Sequence, residues 1–196
     1  MTLKMRTISS LFLLLALFVV PAKTRAQNLN RVQGQVEFVT PDKTDKSAGV
    51  WIDGEYIGYV DELRDQNKLM LMPGEHEITM RLDGYQPATQ KILVQTGKVV
   101  IVTVKLDKDP KAIYSAITAE VKLNVSPERA AVFVDDKFVG HAGEFGGAGK
   151  GMLVSPGKHH IKIVLSGYQS FETDVDVVAD QKAKITTELV KIPGEK

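Results

Sequence analysis

Residues 50–58 of this chain read VWIDGEYIG, and residues 132–140 read VFVDDKFVG. In both stretches a pair of Asp or Gly residues separates two short runs rich in Val, Ile and aromatic residues. Such a pair accepts the positive φ angles of a two-residue turn, and the flanking runs have high strand propensity. Each stretch therefore predicts a tight β-hairpin, and the chain contains this hairpin twice.

The repeat extends well beyond the hairpin. Residues 73–78 (PGEHEI) return as residues 156–161 (PGKHHI), and residues 82–86 (LDGYQ) return as residues 165–169 (LSGYQ). The shared positions are turn residues and apolar residues rather than reactive side chains. A duplicated structural module explains this pattern, which is more informative about fold than about chemistry.

Alternation of apolar and polar residues predicts many short strands in each copy. His76, Ile78, Met80 and Leu82 alternate with polar residues, as in a strand that buries one face. No stretch predicts an amphipathic helix. We therefore predict an all-β protein of two tandem, small, antiparallel β-sandwich modules after an N-terminal signal. The predicted boundaries are 30–107 for the first module, 108–117 for a linker and 118–192 for the second module.

The first 26 residues have the composition of a secretory signal peptide. Lys4 and Arg6 precede the apolar run 11–20, and a polar segment then ends at Ala26. That run is too short to span a bilayer as a helix, which takes roughly 20 residues. We expect cleavage after residue 26, which leaves 21 basic and 24 acidic residues and changes the net charge from +1 to −3. We expect membrane attachment only where the signal is retained.

Charge and cysteine content exclude several classes of partner. Basic and acidic residues are interspersed without a run of Lys or Arg, so we expect no nucleic-acid partner. The sequence has no cysteine, which excludes disulfides, thiolate metal sites and a lipid-bearing cysteine.

A further set of turn residues surrounds the second hairpin. Residues 126–136 read SPERAAVFVDD, and residues 139–140 (VG), 156–159 (PGKH) and 167–168 (GY) follow. This pattern resembles the PEGA domain family, which is named for Pro-Glu-Gly-Ala, with Arg129 in place of the glycine. The first copy departs further, because it has four more residues between its proline and its hairpin. The resemblance implies a small β-sandwich of exported, envelope-associated bacterial proteins, with no catalytic residue to transfer and no settled ligand.

The histidines are the first candidates for a metal site. His76 and His159 occupy the same repeat position at the start of a strand, and the adjacent His160 points to the opposite face. With no cluster of carboxylates or cysteines beside them, we predict capping or packing at the turn and no metal site.

The glycine-rich segment 140–151 is the other candidate for chemistry. It lacks the spacing of a P-loop and leads into a strand rather than a helix, so we interpret it as a mobile connection. A ligand-closing loop is the alternative. We expect no catalytic residue and no cofactor. A hydrolase built on this segment would depend on His141, Glu144 or Lys150.

Aromatic residues of the hairpins are candidate contacts for a ligand. If Val50 faces the core, Trp51 faces outward, and Phe133 does so in the second copy, with Tyr56 and Phe138 on the neighbouring arms. Exposed aromatic rings stack on sugars. The same rings also form ordinary cross-strand pairs on the second face of a hairpin, and both readings stay open.

Two outward-facing apolar residues distinguish the first copy from the second. Val99 and Ile101 lie on the outward side of their strand, where Lys182 and Lys184 stand in the second copy. Apolar residues on one copy only predict an interface, either with the other module or with a partner.

Two functions follow from these features. The first is an exported, non-enzymatic protein that acts as a protein-interaction or scaffolding module in the bacterial envelope, with a periplasmic or extracellular location. The alternative is a carbohydrate-binding module that uses the hairpin aromatics. The expected partner is thus an envelope protein or a glycan.

Overall fold

The computed structural model describes residues 32–65, 68–147 and 149–194. The signal peptide expected at residues 1–26 lies outside this part of the chain. Seven strands make up each copy. In the first module they are β1 (Gly34–Val39), β2 (Gly49–Ile52), β3 (Glu55–Tyr59), β4 (Leu69–Leu71), β5 (Gly74–Arg81), β6 (Ala88–Val94) and β7 (Val99–Thr103). In the second they are β8 (Ala119–Ser126), β9 (Ala131–Val134), β10 (Lys137–His141), β11 (Met152–Val154), β12 (Gly157–Val164), β13 (Phe171–Val177) and β14 (Lys182–Glu188).

Each module is a sandwich of a three-stranded and a four-stranded sheet. In the first module the strand orders are β4-β1-β7 and β3-β2-β5-β6, and the second repeats them as β11-β8-β14 and β10-β9-β12-β13. Alternate side chains of both sheets point inward and form the core, as at Phe38 and Ile78 in the first module and Leu123 and Ile161 in the second. The predicted all-β fold in two tandem modules is confirmed.

Strand direction differs from the predicted antiparallel sheets at one place in each module. β1 pairs with β7 in parallel, and β8 pairs with β14 in parallel, whereas every other pairing of the named strands is antiparallel. The first and last strands of each module are neighbours in the three-stranded sheet, and the chain passes through the four-stranded sheet between them. Alternation of side chains places residues on a face but carries no information about strand direction.

The hairpin turns have the backbone that the sequence predicts. Asp53 and Gly54 have φ angles of 51° and 87°, and Asp135 and Asp136 have φ angles of 50° and 64°. Two consecutive positive φ angles are those of a type I′ turn, whose twist matches that of the flanking strands.

The connection after the hairpin differs between the modules. In the first it forms a short helix, α1 (Val60–Asp65), which buries Val60 and Leu63 and which the sequence analysis did not predict. In the second, the glycine-rich segment begins with a 3-10 turn at Ala142–Glu144. The Gly143 amide donates to the Glu128 carbonyl at 2.8 Å, so this part of the predicted mobile connection is tied to the preceding turn.

Candidate interaction surfaces

The hairpins of the two modules pack against each other through their aromatic side chains. The ring centroid of Trp51 lies 5.1 Å from that of Tyr56, 5.0 Å from that of Phe138 and 6.4 Å from that of Phe133. Trp51 meets Phe138 edge to face, with an interplanar angle of 89°. Pairs of this geometry add about 0.5–1.5 kcal/mol beyond the area they bury. We call these four residues the aromatic junction.

Burial of the aromatic junction corrects the sequence analysis. Trp51, Tyr56 and Phe138 are only 6%, 3% and 6% exposed, and Phe133 is partly buried against the same cluster. The expectation that these rings are exposed is therefore wrong. As predicted, these rings lie on the face of their hairpin opposite to Val50 and Val132. The hairpin of the other module covers that face. Within each hairpin the two rings form a cross-strand pair, with Trp51 opposite Tyr56 and Phe133 opposite Phe138.

Polar contacts surround the aromatic junction. Arg129 Nη1 lies 2.7 Å from Glu62 Oε1, and the Tyr56 hydroxyl donates to the Arg129 carbonyl at 3.0 Å. Burial, together with the charge of Glu62, raises the pKa of Tyr56 above its ordinary range, so the hydroxyl stays protonated and can donate. Arg129, which stands where the family has glycine, thus joins the two modules through both its side chain and its carbonyl.

Two contacts between the modules join residues that occupy the same position in the two copies. Tyr59 stacks on His141, with centroids 4.0 Å apart and planes 10° apart, and these residues are equivalent in the two copies. Tyr56 and Phe138 are likewise equivalent, and their centroids lie 6.4 Å apart. Contacts between equivalent residues are the mark of a two-fold, isologous interface. The two modules therefore pack with local two-fold symmetry.

His76 and His159 join the hairpin turn of their module to the start of β5 and of β12, as the predicted capping role requires. His76 Nδ1 lies 2.7 Å from Asp53 Oδ2, and its Nε2 lies 2.9 Å from the Met72 carbonyl. Asp53 Oδ1 also accepts from the Glu77 amide at 2.9 Å. The second module repeats the same geometry. His159 there contacts Asp135 Oδ2 and the Ser155 carbonyl, each at 2.7 Å. We call these two arrangements the His–Asp clamps.

Both ring nitrogens of each clamp histidine face an acceptor oxygen, so only the protonated imidazolium donates to both. The hydrogen bond to Asp53, helped by the Met72 carbonyl, raises the pKa of His76. For His159, burial opposes protonation, but the bonds to Asp135 and Ser155 outweigh it and raise the pKa. The sequence contained a signal for the clamps, because an Asp precedes the His by nearly the same interval in both copies.

The described residues contain no further candidate site of two kinds, a membrane span and a metal cluster. Among residues 32–65, 68–147 and 149–194, no helix has the length and apolar character needed to cross a membrane. Over the same ranges, no three His, Asp or Glu side chains are grouped as metal ligands.

The apolar strip lies on the edge of the first module and faces solvent rather than the second module. Val99 and Ile101 on β7 are 53% and 64% exposed, and Val39 on the neighbouring β1 is 48% exposed. We call these three residues the apolar strip. Scattered exposed apolar residues are common, but three on one outer face of one small sheet form a patch.

The corresponding face of the second module is charged. Lys182 and Lys184 replace Val99 and Ile101 on β14, and Glu120 on β8 forms ion pairs with Lys182 at 3.3 Å and with Lys122 at 3.7 Å. The edge strand β14 thus carries lysines where β7 is apolar, while Leu153 on the opposite edge strand, β11, is also exposed on this outer face.

Comparisons with known proteins agree with the fold. The PEGA domain family matches residues 44–110 and 118–193, and the chain belongs to this family. It contains two tandem copies of the PEGA domain. No curated protein matches the chain.

Two solved structures show a distant likeness. The TIE protein of Bacillus anthracis is 16% identical, with a TM-score of 0.30, over 82% of this chain and 34% of that one. This chain therefore spans about a third of the length of that protein. A minor pilin of the Gram-positive pathogen Streptococcus agalactiae is 13% identical, with a TM-score of 0.24, over 83% of this chain and 98% of that one.

Proposed function

We propose that this protein is an exported, non-enzymatic tandem PEGA-domain protein that binds another protein in the bacterial envelope and acts there as an interaction or scaffolding module. Its location is periplasmic or extracellular. The observation that carries the proposal is the apolar strip of Val39, Val99 and Ile101, which the charged face of the second module lacks. Since both modules have the same fold, folding alone does not require an apolar face at this edge.

The aromatic junction supports a scaffolding role. It fastens the two modules through buried rings and through the contact between Arg129 and Glu62. A rigid pair presents the apolar strip in a fixed direction relative to the second module, which lowers the entropy lost when a partner binds.

The test compares the mature chain with a variant that carries V99K and I101K. These substitutions install the lysines that the same strand positions already hold in the second module, so the fold is expected to persist. The matched control is L153K, because Leu153 is 68% exposed and lies on β11 of the second module. Immobilised protein at micromolar concentration is incubated with envelope extract.

We expect the wild type and L153K to retain the same envelope protein and the V99K/I101K variant to lose it. Retention of that protein by V99K/I101K, or no retained protein in any sample, would contradict the proposed function. Circular dichroism and the fluorescence of Trp51 show whether each variant is folded.

A further inference from the structure

The backbone of β7 has one hydrogen-bonded side and one open side. At its start the Gln35 amide of β1 donates to the Lys98 carbonyl at 2.9 Å, and just past its end the Val104 amide donates to the Val39 carbonyl at 2.8 Å. Peptide groups alternate in direction along a strand, so the even-numbered residues 98–104 turn toward β1. The amide and carbonyl groups of the three odd-numbered residues point outward, away from the sheet. These residues are Val99, Ile101 and Thr103.

Within the described chain, no strand pairs with the open side of β7. β7 is the last strand of its sheet, with order β4-β1-β7. The Gln90 side chain of β6 donates to the Thr103 carbonyl at 3.1 Å, at one end of the strand. An edge with unpaired peptide groups is a template for another strand, and proteins ordinarily protect such edges with charge, above all with Lys.

The second module has that protection and the first does not. The edge strand β14 holds Lys182 and Lys184 where β7 has Val99 and Ile101. Along the open edge of β7, unpaired peptide groups therefore coincide with apolar side chains. Main-chain bonds supply affinity and alternate side chains supply specificity when a strand is added to a sheet.

Charges at the two ends of β7 favour an acidic partner. Lys98 and Lys105 flank the strand, are exposed, and form no ion pair with residues 32–65, 68–147 or 149–194. Asp42 and Asp45 line a pocket together with Lys105 at one end of the strand. On the outer face, Glu37 lies opposite Ile101 on β1 and accepts from Gln35 at 2.7 Å. It is one strand further from the open edge than the two lysines.

The same lysines argue against a second copy of this chain as the occupant. An antiparallel pairing of two β7 strands centred on Ile101 would bring Lys98 of one copy and Lys105 of the other to the same end of the seam, on opposite faces. Two lysines of like charge at each end of such a seam would repel each other, whereas the acidic ends of a different strand would be attracted.

We propose that the envelope partner binds by adding an extended strand to the open edge of β7, and that this strand carries alternating aliphatic residues flanked by acidic residues. The inference rests on the proposed function, because it uses the same apolar strip. Aliphatic side chains of the added strand cover Val99 and Ile101, its backbone pairs with the outward peptide groups, and its acidic ends meet Lys98 and Lys105.

The probe is a synthetic peptide of alternating valine and threonine with two glutamates at each end, labelled for fluorescence anisotropy. A matched peptide has lysines in place of the glutamates. The protein variants are T103P, which removes one outward amide but leaves Val99 and Ile101 in place, and its control T103A, which keeps that amide. Proline is tolerated on an edge strand where its missing N–H faces solvent.

We expect the glutamate peptide to bind the wild type and T103A, and to bind T103P about fivefold more weakly, as the loss of one main-chain hydrogen bond predicts. The lysine peptide should bind more weakly than the glutamate peptide, and the difference should shrink in high salt. By NMR, bound glutamate peptide should slow hydrogen exchange at the amides of Ile101 and Thr103.

The inference would be overturned if the glutamate peptide did not bind at millimolar concentration, or if the lysine peptide bound the wild type equally well. It would also be overturned if folded T103P bound the glutamate peptide as tightly as the wild type does, or if a wild-type dimer protected the same amides. If V99K/I101K loses the envelope protein while T103P keeps it, strand addition is wrong and the proposed function stands. If V99K/I101K keeps that protein, the proposed function fails whatever the peptide does.

Discussion

Trp51 of the first module and Phe138 of the second meet edge to face, with their ring centroids 5.0 Å apart, and both are almost fully buried. Trp51 belongs to the same buried cluster as Phe138 and the core of the second module, not to the core of the first. We therefore expect each module to be less stable without the other, because a separated module would expose this apolar area to water.

Truncation of Phe138 tests that dependence. We expect F138A to cost about 3 kcal/mol of unfolding free energy, as for a buried aromatic ring, and to split one calorimetric transition into two. Trp51 is the only tryptophan, so its emission should also shift to the red and be quenched more readily by acrylamide. I113A is the control, since Ile113 is 90% exposed and should change neither signal. A single unshifted transition in F138A would show that the modules do not stabilise each other through this ring.

The contact between Arg129 and Glu62 is suited to a double-mutant cycle. The two side chains are 38% and 14% exposed and lie 2.7 Å apart. R129M keeps the apolar stem and removes the charge, and E62Q removes the opposite charge. We expect a coupling energy of about 1 kcal/mol, since the pair is only partly screened by solvent. A coupling energy near zero, measured by urea denaturation, would mean that the pair does not help to join the modules.

The His–Asp clamps should make stability depend on pH in two directions. The clamp histidines have raised pKa values, so their contribution is fully present below the ordinary pKa of 6.5 and is lost as the pH rises through the raised value. The hydrogen bonds from the Glu77 amide and from His76 lower the pKa of Asp53. Its contribution is present above the ordinary pKa of 3.8 and is lost as the pH falls through the lowered value.

The clamps should therefore stabilise the fold most between about pH 4 and pH 6. Urea midpoints of the wild type should fall from pH 6 to pH 8 by more than those of H76Q/H159Q, which lacks both clamp histidines. D53N/D135N should flatten the same slope, because it removes the carboxylates that favour the imidazolium. Parallel profiles for the wild type and both variants would contradict the role of the clamps.

Replacing the lysines of β14 by the apolar residues of β7 tests whether edge lysines prevent self-association. We expect K182V/K184I to give β14 an apolar edge like that of β7, with increased self-association seen by light scattering or sedimentation. The matched control is K158V, which changes a lysine on β12, an inner strand of the large sheet. Unchanged behaviour of K182V/K184I would indicate that lysine at these positions does not guard the edge.

Much of the fold could be predicted because the chain repeats its turns. Asp53 and Gly54 predict the type I′ hairpin locally, and the alternation through Ile78 and Met80 predicts a half-buried strand without reference to distant residues. The helix α1 was not predicted, because six residues are too few for a helical period to be recognised. Its formation depends on the burial of Val60 and Leu63 against the rest of the module.

The surfaces could be predicted less well than the strands. The sequence places Trp51 and Val99 on outward faces, and the structure covers the first and exposes the second. Periodicity states which side of a strand a residue occupies, and only the packing of the modules determines what lies beyond that side. The clamp between His76 and Asp53 also joins a strand to a hairpin turn 23 residues earlier in the chain, so only the repeated spacing pointed to it.

The local two-fold symmetry at the aromatic junction has an evolutionary consequence. Because Tyr59 stacks on its own counterpart His141, a single ancestral domain could have used this face to form a homodimer before its gene was duplicated. Fusion would then have freed the two halves to diverge, which accounts for lysines on β14 at the positions where β7 has Val99 and Ile101.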